Sequence, residues 1–242
     1  MAASMVAEAM TKESLAEANS RLAVATPRAI LEWAVERFYP RLTMATAFGA
    51  EGCVLLHLLA EIEPKVRVFN LDTGYQFPDT LALRDQIAQR YGIEVELMRP
   101  ESTVAQYEQR HDGPLYVTNP DLCCYDRKIV PLRRALAGYD AWITAIRSDQ
   151  SADRAAAKVV GADPKFGLVK INPLLTWTSR DVWAFIATHK VPYNPLHDRG
   201  YASIGCWPCT RESRSGEDER SGRWAGLAKT ECGLHSLDSS QL

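Results

Sequence analysis

Six cysteines are the most chemically capable residues of this 242-residue chain, and they are unevenly spaced. Cys123 and Cys124 are adjacent in "DLCCYDRK", while Cys206 and Cys209 form a C-x-x-C in "GCWPCT". A disulfide between the adjacent pair is disfavoured, because bridged Cα atoms usually stand ~4.4 Å or more apart and a trans peptide fixes neighbours at ~3.8 Å. Together the two pairs offer four thiolates from two segments, a donor set for tetrahedral zinc or for an iron–sulfur cluster. Adjacent residues chelate one small ion awkwardly, whereas a cubane presents different iron atoms to neighbouring sulfurs. A cluster therefore ranks first, zinc second and unrelated buried cysteines third. A redox role for the C-x-x-C is weakened by context, since residues 194–205 do not read as a strand.

The other two cysteines differ. Cys53, in "EGCVLLHLL", lies in an apolar helical run and reads as a small core residue with no further role. Cys232, in "KTECGLH", is solitary, flanked by Lys229, Glu231 and His235, with Arg220 and Arg223 just upstream. Cations there favour the thiolate, the nucleophilic form of the side chain. His235 is a weaker candidate for a general base.

Anion-binding chemistry is written into several loops. "ATAFGAEG" offers Thr46, Gly49 and backbone N–H groups facing a helix start, although it is neither a G-x-G-x-x-G nor a Walker loop. "NLDTGYQFPDT" places Leu71 at another strand end. Arg147 and Arg154 follow a third strand in "TAIRSDQSADR", and Lys128 lies four residues after Cys124, hence on the same face of a helix. Each charge alone reads as a solvated surface; several converging on strand ends point to a polyanionic ligand.

These loops need a scaffold that gathers strand ends. "TPRAILEWAVERF" is a helix with Thr26 as N-cap and Pro27 at its first position. Strand runs then alternate with helical ones: "RLTMATAF", "VLLHLLAEI", "VRVFNLD", "FPDTLALRDQIAQRYG", "IEVELMRP", "AWITAI", "GLVKINPLL" and "TSRDVWAFIATHK", the last with a Thr178–Asp181 capping box. The pattern predicts an α/β fold, a parallel twisted sheet with helices on both faces, binding ligands at the carboxyl ends of its strands. Residues 1–25 read as a polar, partly helical arm, 26–210 as the α/β domain and 211–242 as a mobile tail rich in Gly, Ser and charge.

The formal net charge of -2 excludes a strongly basic nucleic-acid-binding protein. No secretory signal and no apolar run of bilayer-spanning length are evident, so no membrane partner and a cytoplasmic location are expected. Thiols stay reduced there, which favours metal or redox roles over structural disulfides. A homo-oligomer is compatible with the sequence.

Taken together, "LDTGYQFPDT", "INPLLTWTSRDVWAFI", "VPYNPLHDRGYASIGCWPCT" and "GRWAGLAKTECGLH" resemble the reductases of the sulfate-assimilation pathway, over most of the chain from Thr43 to His235. The resemblance implies a Rossmann-like domain of the adenine-nucleotide alpha-hydrolase type. It also implies sulfo transfer to Cys232, with thioredoxin or a glutaredoxin-like protein as reductant. Family members carrying both cysteine pairs hold a [4Fe-4S] cluster, here on Cys123, Cys124, Cys206 and Cys209, and usually prefer adenosine 5'-phosphosulfate. The resemblance further implies that Thr46, Gly49 and Leu71 hold the nucleotide and that Lys128, Arg147, Arg154, Arg220 and Arg223 hold its phosphosulfate. The chain departs from the common pattern in having Thr46 as the only hydroxyl of its first loop and Ala145 where glycine is frequent. The alternatives are preference for the 3'-phosphorylated nucleotide or acceptance of both. More distant are an iron–sulfur or zinc enzyme of RNA thiolation and a metal-stapled interaction module.

Overall fold

The computed structural model describes residues 11–214, 216–227, 229 and 231–234. The chain opens with α1 (Lys12–Leu22) and α2 (Pro27–Phe38). The hydroxyl of Thr26 accepts from the Ala29 N–H, and Pro27 needs no donor partner in the first turn. The described part of the N-terminal arm is docked: Leu15, Ala18 and Leu22 of α1 are buried, and the Asn19 side chain accepts from the Val160 N–H, while residues 1–10 lie outside the described residues.

Strand β1 (Leu42–Ala45) leads into α3 (Ala50–Ile62), and β2 (Arg67–Leu71) into α4 (Pro78–Tyr91). Next come β3 (Val95–Met98), α5 (Val104–Arg110), α6 (Leu115–Thr118) and α7 (Pro120–Cys124). A π-helical turn, Tyr125–Ile129, joins α7 to α8 (Val130–Leu136). Pro131 has no N–H to donate, so the regular α-helical ladder cannot run unbroken past it. Strand β4 (Ala141–Ile143), the one-turn α9 (Ala152–Ala155), β5 (Val160–Asp163), β6 (Leu168–Ile171) and α10 (Ser179–His189) complete the domain.

The six strands lie in the order β3-β2-β1-β4-β6-β5. All neighbours are parallel except β5, which pairs antiparallel with β6 at the edge. The chain winds outward from β1 to β3, then returns to β4 on β1's other side. That reversal opens a crevice above the carboxyl ends of β1 and β4, where α/β sheets bind ligands.

Alternation along the strands sends side chains to opposite faces. Val68, Ala141 and Ile143 join the larger core with Ile30, Leu31, Leu55 and Leu59, whereas Phe69 and Trp142 pack with Leu132, Ala135 and Leu136 of α8. Helix α3 is apolar on nearly every side and is enclosed by α2 and α10.

The Thr178 capping box forms as its sequence predicts, with hydroxyl and backbone of Thr178 both bonded to Asp181. Thr178→Ala is expected to cost about 1 kcal/mol. A thermal melt checks this as a Tm drop of roughly 2–4 °C for a domain of this size.

Candidate active site

The loop after β1 is shaped by its own residues. The Thr46 hydroxyl accepts from the Phe48 N–H, while Phe48 is buried in a left-handed conformation with φ 55°. A Cβ at Gly52 would stand 2.8 Å from the Thr46 hydroxyl, so only glycine lets α3 start this close to the loop. Asn70, at the end of β2, donates to the Thr46 carbonyl at 2.8 Å and accepts from Gln76 at 2.6 Å. These buried amides fix the spacing of the β1 and β2 strand ends, with the Gln76 Oε1 left unpaired beside the cavity.

Thr46, Gly49, Leu71, Lys128, Arg154, Arg220, Arg223 and Cys232 all border one cavity of about 200 Å³ at this switch point. Ala145 borders it too. Arg147 is the exception. Its guanidinium is 1% exposed and faces Glu51, Asp149 and Glu219 instead of the cavity. It thereby ties α3 to the C-terminal segment.

Residues 211–234, read from composition as a mobile tail, are docked where they are described. Thr210 bridges to Arg223, the Trp224 N–H donates to the Cys209 carbonyl, and Trp224 is buried against Cys124 and Cys232. Arg223 lies 4.5 Å above the Trp224 ring, and a side chain at position 205 would collide with the Arg223 guanidinium. Gly205 therefore makes room for this cation beside Cys206. His235 lies outside the described residues.

Cys232 is buried at the cavity wall. Burial is the largest influence and works against its thiolate, but the Lys128 ammonium, the Leu234 N–H and Arg223 together outweigh it and hold the thiol below its ordinary value. Lys128 itself is shifted upward: burial disfavours its charge, and Cys206, Cys124 and Cys232 more than compensate. Cys53 shows the opposite behaviour, since burial alone pushes it up to about 12. It stays a packed thiol, as its apolar helix implies.

Beside the cavity, a smaller one is lined by Cys123, Cys124, Cys206 and Cys209 together with Lys128, Thr73 and Trp224. Lys128 borders both. The Thr73 hydroxyl lies 3.2 Å from the Cys206 sulfur, and Tyr75, Tyr116 and Trp207 close the outer side with edge-to-face ring contacts. Burial pushes Cys123 up to about 12 and Cys124 to about 11, so a bound cationic centre would be needed to hold these sulfurs as thiolates. Among the described residues, no three His, Cys, Asp or Glu side chains gather closely enough to hold one metal ion.

Sequence reasoning missed His197, Gln76 and Trp142, which also border the main cavity. His197 follows "NPL" in the long motif before the C-x-x-C, a position that could have drawn notice. Its Nδ1 bonds the Tyr201 carbonyl at 2.8 Å, while Nε2 has no partner among the described residues. Burial, opposed by that bond, lowers its pKa. An unfolded histidine takes its proton near pH ~6.5, so the native state gains stability above that pH and loses it as pH falls below. His197→Gln should flatten this acid-side loss, as read from urea midpoints at pH 7.5 and 5.5.

No helix among the described residues is long and apolar enough to cross a membrane. Comparison with known proteins agrees with the site. The family model of the phosphoadenosine phosphosulfate reductase domain matches residues 41–212. A "Phosphoadenosine 5'-phosphosulfate reductase" of Gloeobacter violaceus is 48% identical over 87% of this chain and 88% of its own. An "Adenosine 5'-phosphosulfate reductase" of Bacillus pumilus is 44% identical over 85% of this chain and 89% of its own. Among solved structures, the phosphoadenylyl-sulfate reductase of Candida auris in a phosphate complex overlays with a TM-score of 0.75 at 33% identity, covering 83% of this chain and 98% of that one. The cavity at the strand ends, the docked cysteine and these matches agree: the chain belongs to the phosphoadenosine phosphosulfate reductase domain family.

Proposed function

We propose that the chain reduces adenosine 5'-phosphosulfate to sulfite and AMP through an S-sulfocysteine on Cys232. The observation that carries this reading is Cys232, with its thiol shifted toward the thiolate, on the same cavity wall as Lys128, Arg220 and Arg223. The Cys232 thiolate attacks the sulfo sulfur; an S–S bond forms as the S–O bond to AMP breaks. Lys128, Arg154, Arg220 and Arg223 stabilise charge on the departing phosphate and on the sulfo oxygens. Thr46, Gly49 and Leu71 hold the nucleotide at the strand ends. A thioredoxin or glutaredoxin-like dithiol then attacks the Cys232 sulfur, expelling sulfite and leaving a mixed disulfide that its second thiol resolves. Two electrons pass from the dithiol to the sulfo group.

The four cysteines fit a [4Fe-4S] cluster better than a single ion. They ring a cavity without converging on one point, and two are sequence neighbours. The cationic core of such a cluster would keep the thiolates ionised, and the net negative charge of core plus thiolates would hold the neighbouring Lys128 as an ammonium. Iron and acid-labile sulfide assays on anaerobically purified protein are expected to find both; zinc without sulfide would sink the assignment.

A second reading, preference for the 3'-phosphorylated nucleotide, is favoured by the Gloeobacter relative, a phosphoadenosine 5'-phosphosulfate reductase. The ratio of kcat/KM for the two nucleotides separates them. The reaction itself is tested by incubating the protein with adenosine 5'-phosphosulfate and no dithiol. One SO3 group on Cys232 by mass spectrometry is expected; an unmodified Cys232 would reject the mechanism.

A further inference from the structure

Glu231 precedes the nucleophile in sequence, and its carboxylate is 4% exposed. Arg154 donates to it through Nε at 2.8 Å and Nη2 at 3.4 Å, and Arg220 Nη2 lies 3.1 Å from its other oxygen. The Ser151 hydroxyl adds a longer bond of 3.4 Å. Both guanidinium groups border the substrate cavity. Two other ion pairs, Arg147–Glu219 and Lys229–Asp121, also hold this segment, and Lys165 donates to the Gly233 carbonyl. None of Arg147, Asp121 and Lys165 borders the cavity. Among these carboxylate ties of the described residues, the one at Glu231 is made with cations that border the cavity an anionic substrate would enter.

Building on the function proposed above, we propose that Glu231 competes with the substrate's anionic group for Arg154 and Arg220, so that seating the anion loosens the segment carrying Cys232. A buried carboxylate that gives up its partners is driven toward water. The exchange is partial, because a guanidinium has five donors and Arg154 commits one side to Glu231 and Nη1 to Gln150. The consequence is a trade between anion affinity and tail docking. The closed segment presents Cys232 to the sulfo group, and the AMP left behind by transfer keeps hold of the arginines. Its product state then favours lifting the modified cysteine toward the reductant. Glu231 acts here as a positioning residue, through the arginines it holds.

The test uses AMP, which carries the phosphate but no transferable sulfo group. In Glu231→Gln, AMP is expected to bind about tenfold more tightly by titration calorimetry, a typical size for coupling between linked sites. Peptides containing Cys232 should exchange amide hydrogens faster, and at saturating adenosine 5'-phosphosulfate Cys232 sulfonation should slow even though KM falls. In the unmodified protein, saturating AMP should itself speed exchange of those peptides and should add nothing in Glu231→Gln. Glu231→Asp, which keeps the charge, should stay near the parent AMP affinity. Equal or weaker AMP binding by folded Glu231→Gln, or AMP slowing exchange in the parent, would overturn the inference. A parent protein that gains SO3 while showing either result loses only this inference; a parent that neither binds AMP nor gains SO3 loses the proposed function with it.

Discussion

Cys232→Ser is expected to lower turnover by at least about 10⁴-fold and to abolish the SO3 adduct, the usual scale for removal of a covalent nucleophile. A hydroxyl in the same place is far harder to ionise, and the Lys128 ammonium cannot make up that difference. Among the described cysteines only Cys206 also borders the cavity, and the proposed cluster would engage its sulfur. Burial raises Cys53, Cys123, Cys124 and Cys209, while Cys232, also opposed by burial, is held below its ordinary value by Lys128 together with the Leu234 N–H and Arg223. AMP affinity should stay within about threefold of the parent, because Arg154, Arg220 and Arg223, the cations proposed to hold the phosphate, are unchanged. Mass spectrometry, sulfite release and calorimetry together read the result. Sulfite release by Cys232→Ser at the parent rate would place the nucleophile elsewhere.

Much of this site is local in sequence, and what is local was legible. The Thr26 and Thr178 caps, the strand-ending loops at Thr46 and Leu71, and the two cysteine pairs each announce themselves within a few residues. The antiparallel strand β5 does not: "VGAD" has little β propensity, and it pairs only because the turn ending at Gly167, with φ +71°, folds it back on β6. The fate of the cations is less local still. Arg147 and Arg154 sit in one short stretch and look alike, yet their partners Glu219 and Glu231 come 72 and 77 residues later. One guanidinium is spent on a carboxylate trio and the other reaches the cavity. The π-turn after Cys124 breaks the simple helical spacing that put Lys128 on the cysteine's face, but the two still border the same small cavity.

Lys128→Gln is expected to reduce the rate of Cys232 sulfonation by about 10²- to 10³-fold, the range seen when one preorganised charge-stabilising donor is removed from an active site. The side chain borders both cavities, so its ammonium faces the reacting sulfur from one side and the four-cysteine set from the other. Two effects add in the same direction. The transferring sulfo group and departing phosphate lose a cation, and Cys232 loses the strongest attraction favouring its thiolate. The second effect has a sign that can be checked. A thiol whose pKa is held down is ionised at lower pH, so removing Lys128 should move the rising limb of the pH–rate profile to higher pH. Raising the pH should therefore recover part of the lost rate, and the part not recovered measures the cation's action on the sulfo group. Iron content, for a protein carrying the proposed cluster, separates this from damage to the cysteine set, since glutamine leaves all four sulfurs in place. A variant that keeps its iron and the parent pH profile while losing rate would confine Lys128 to the transfer step. One that keeps its rate would remove it from the chemistry altogether.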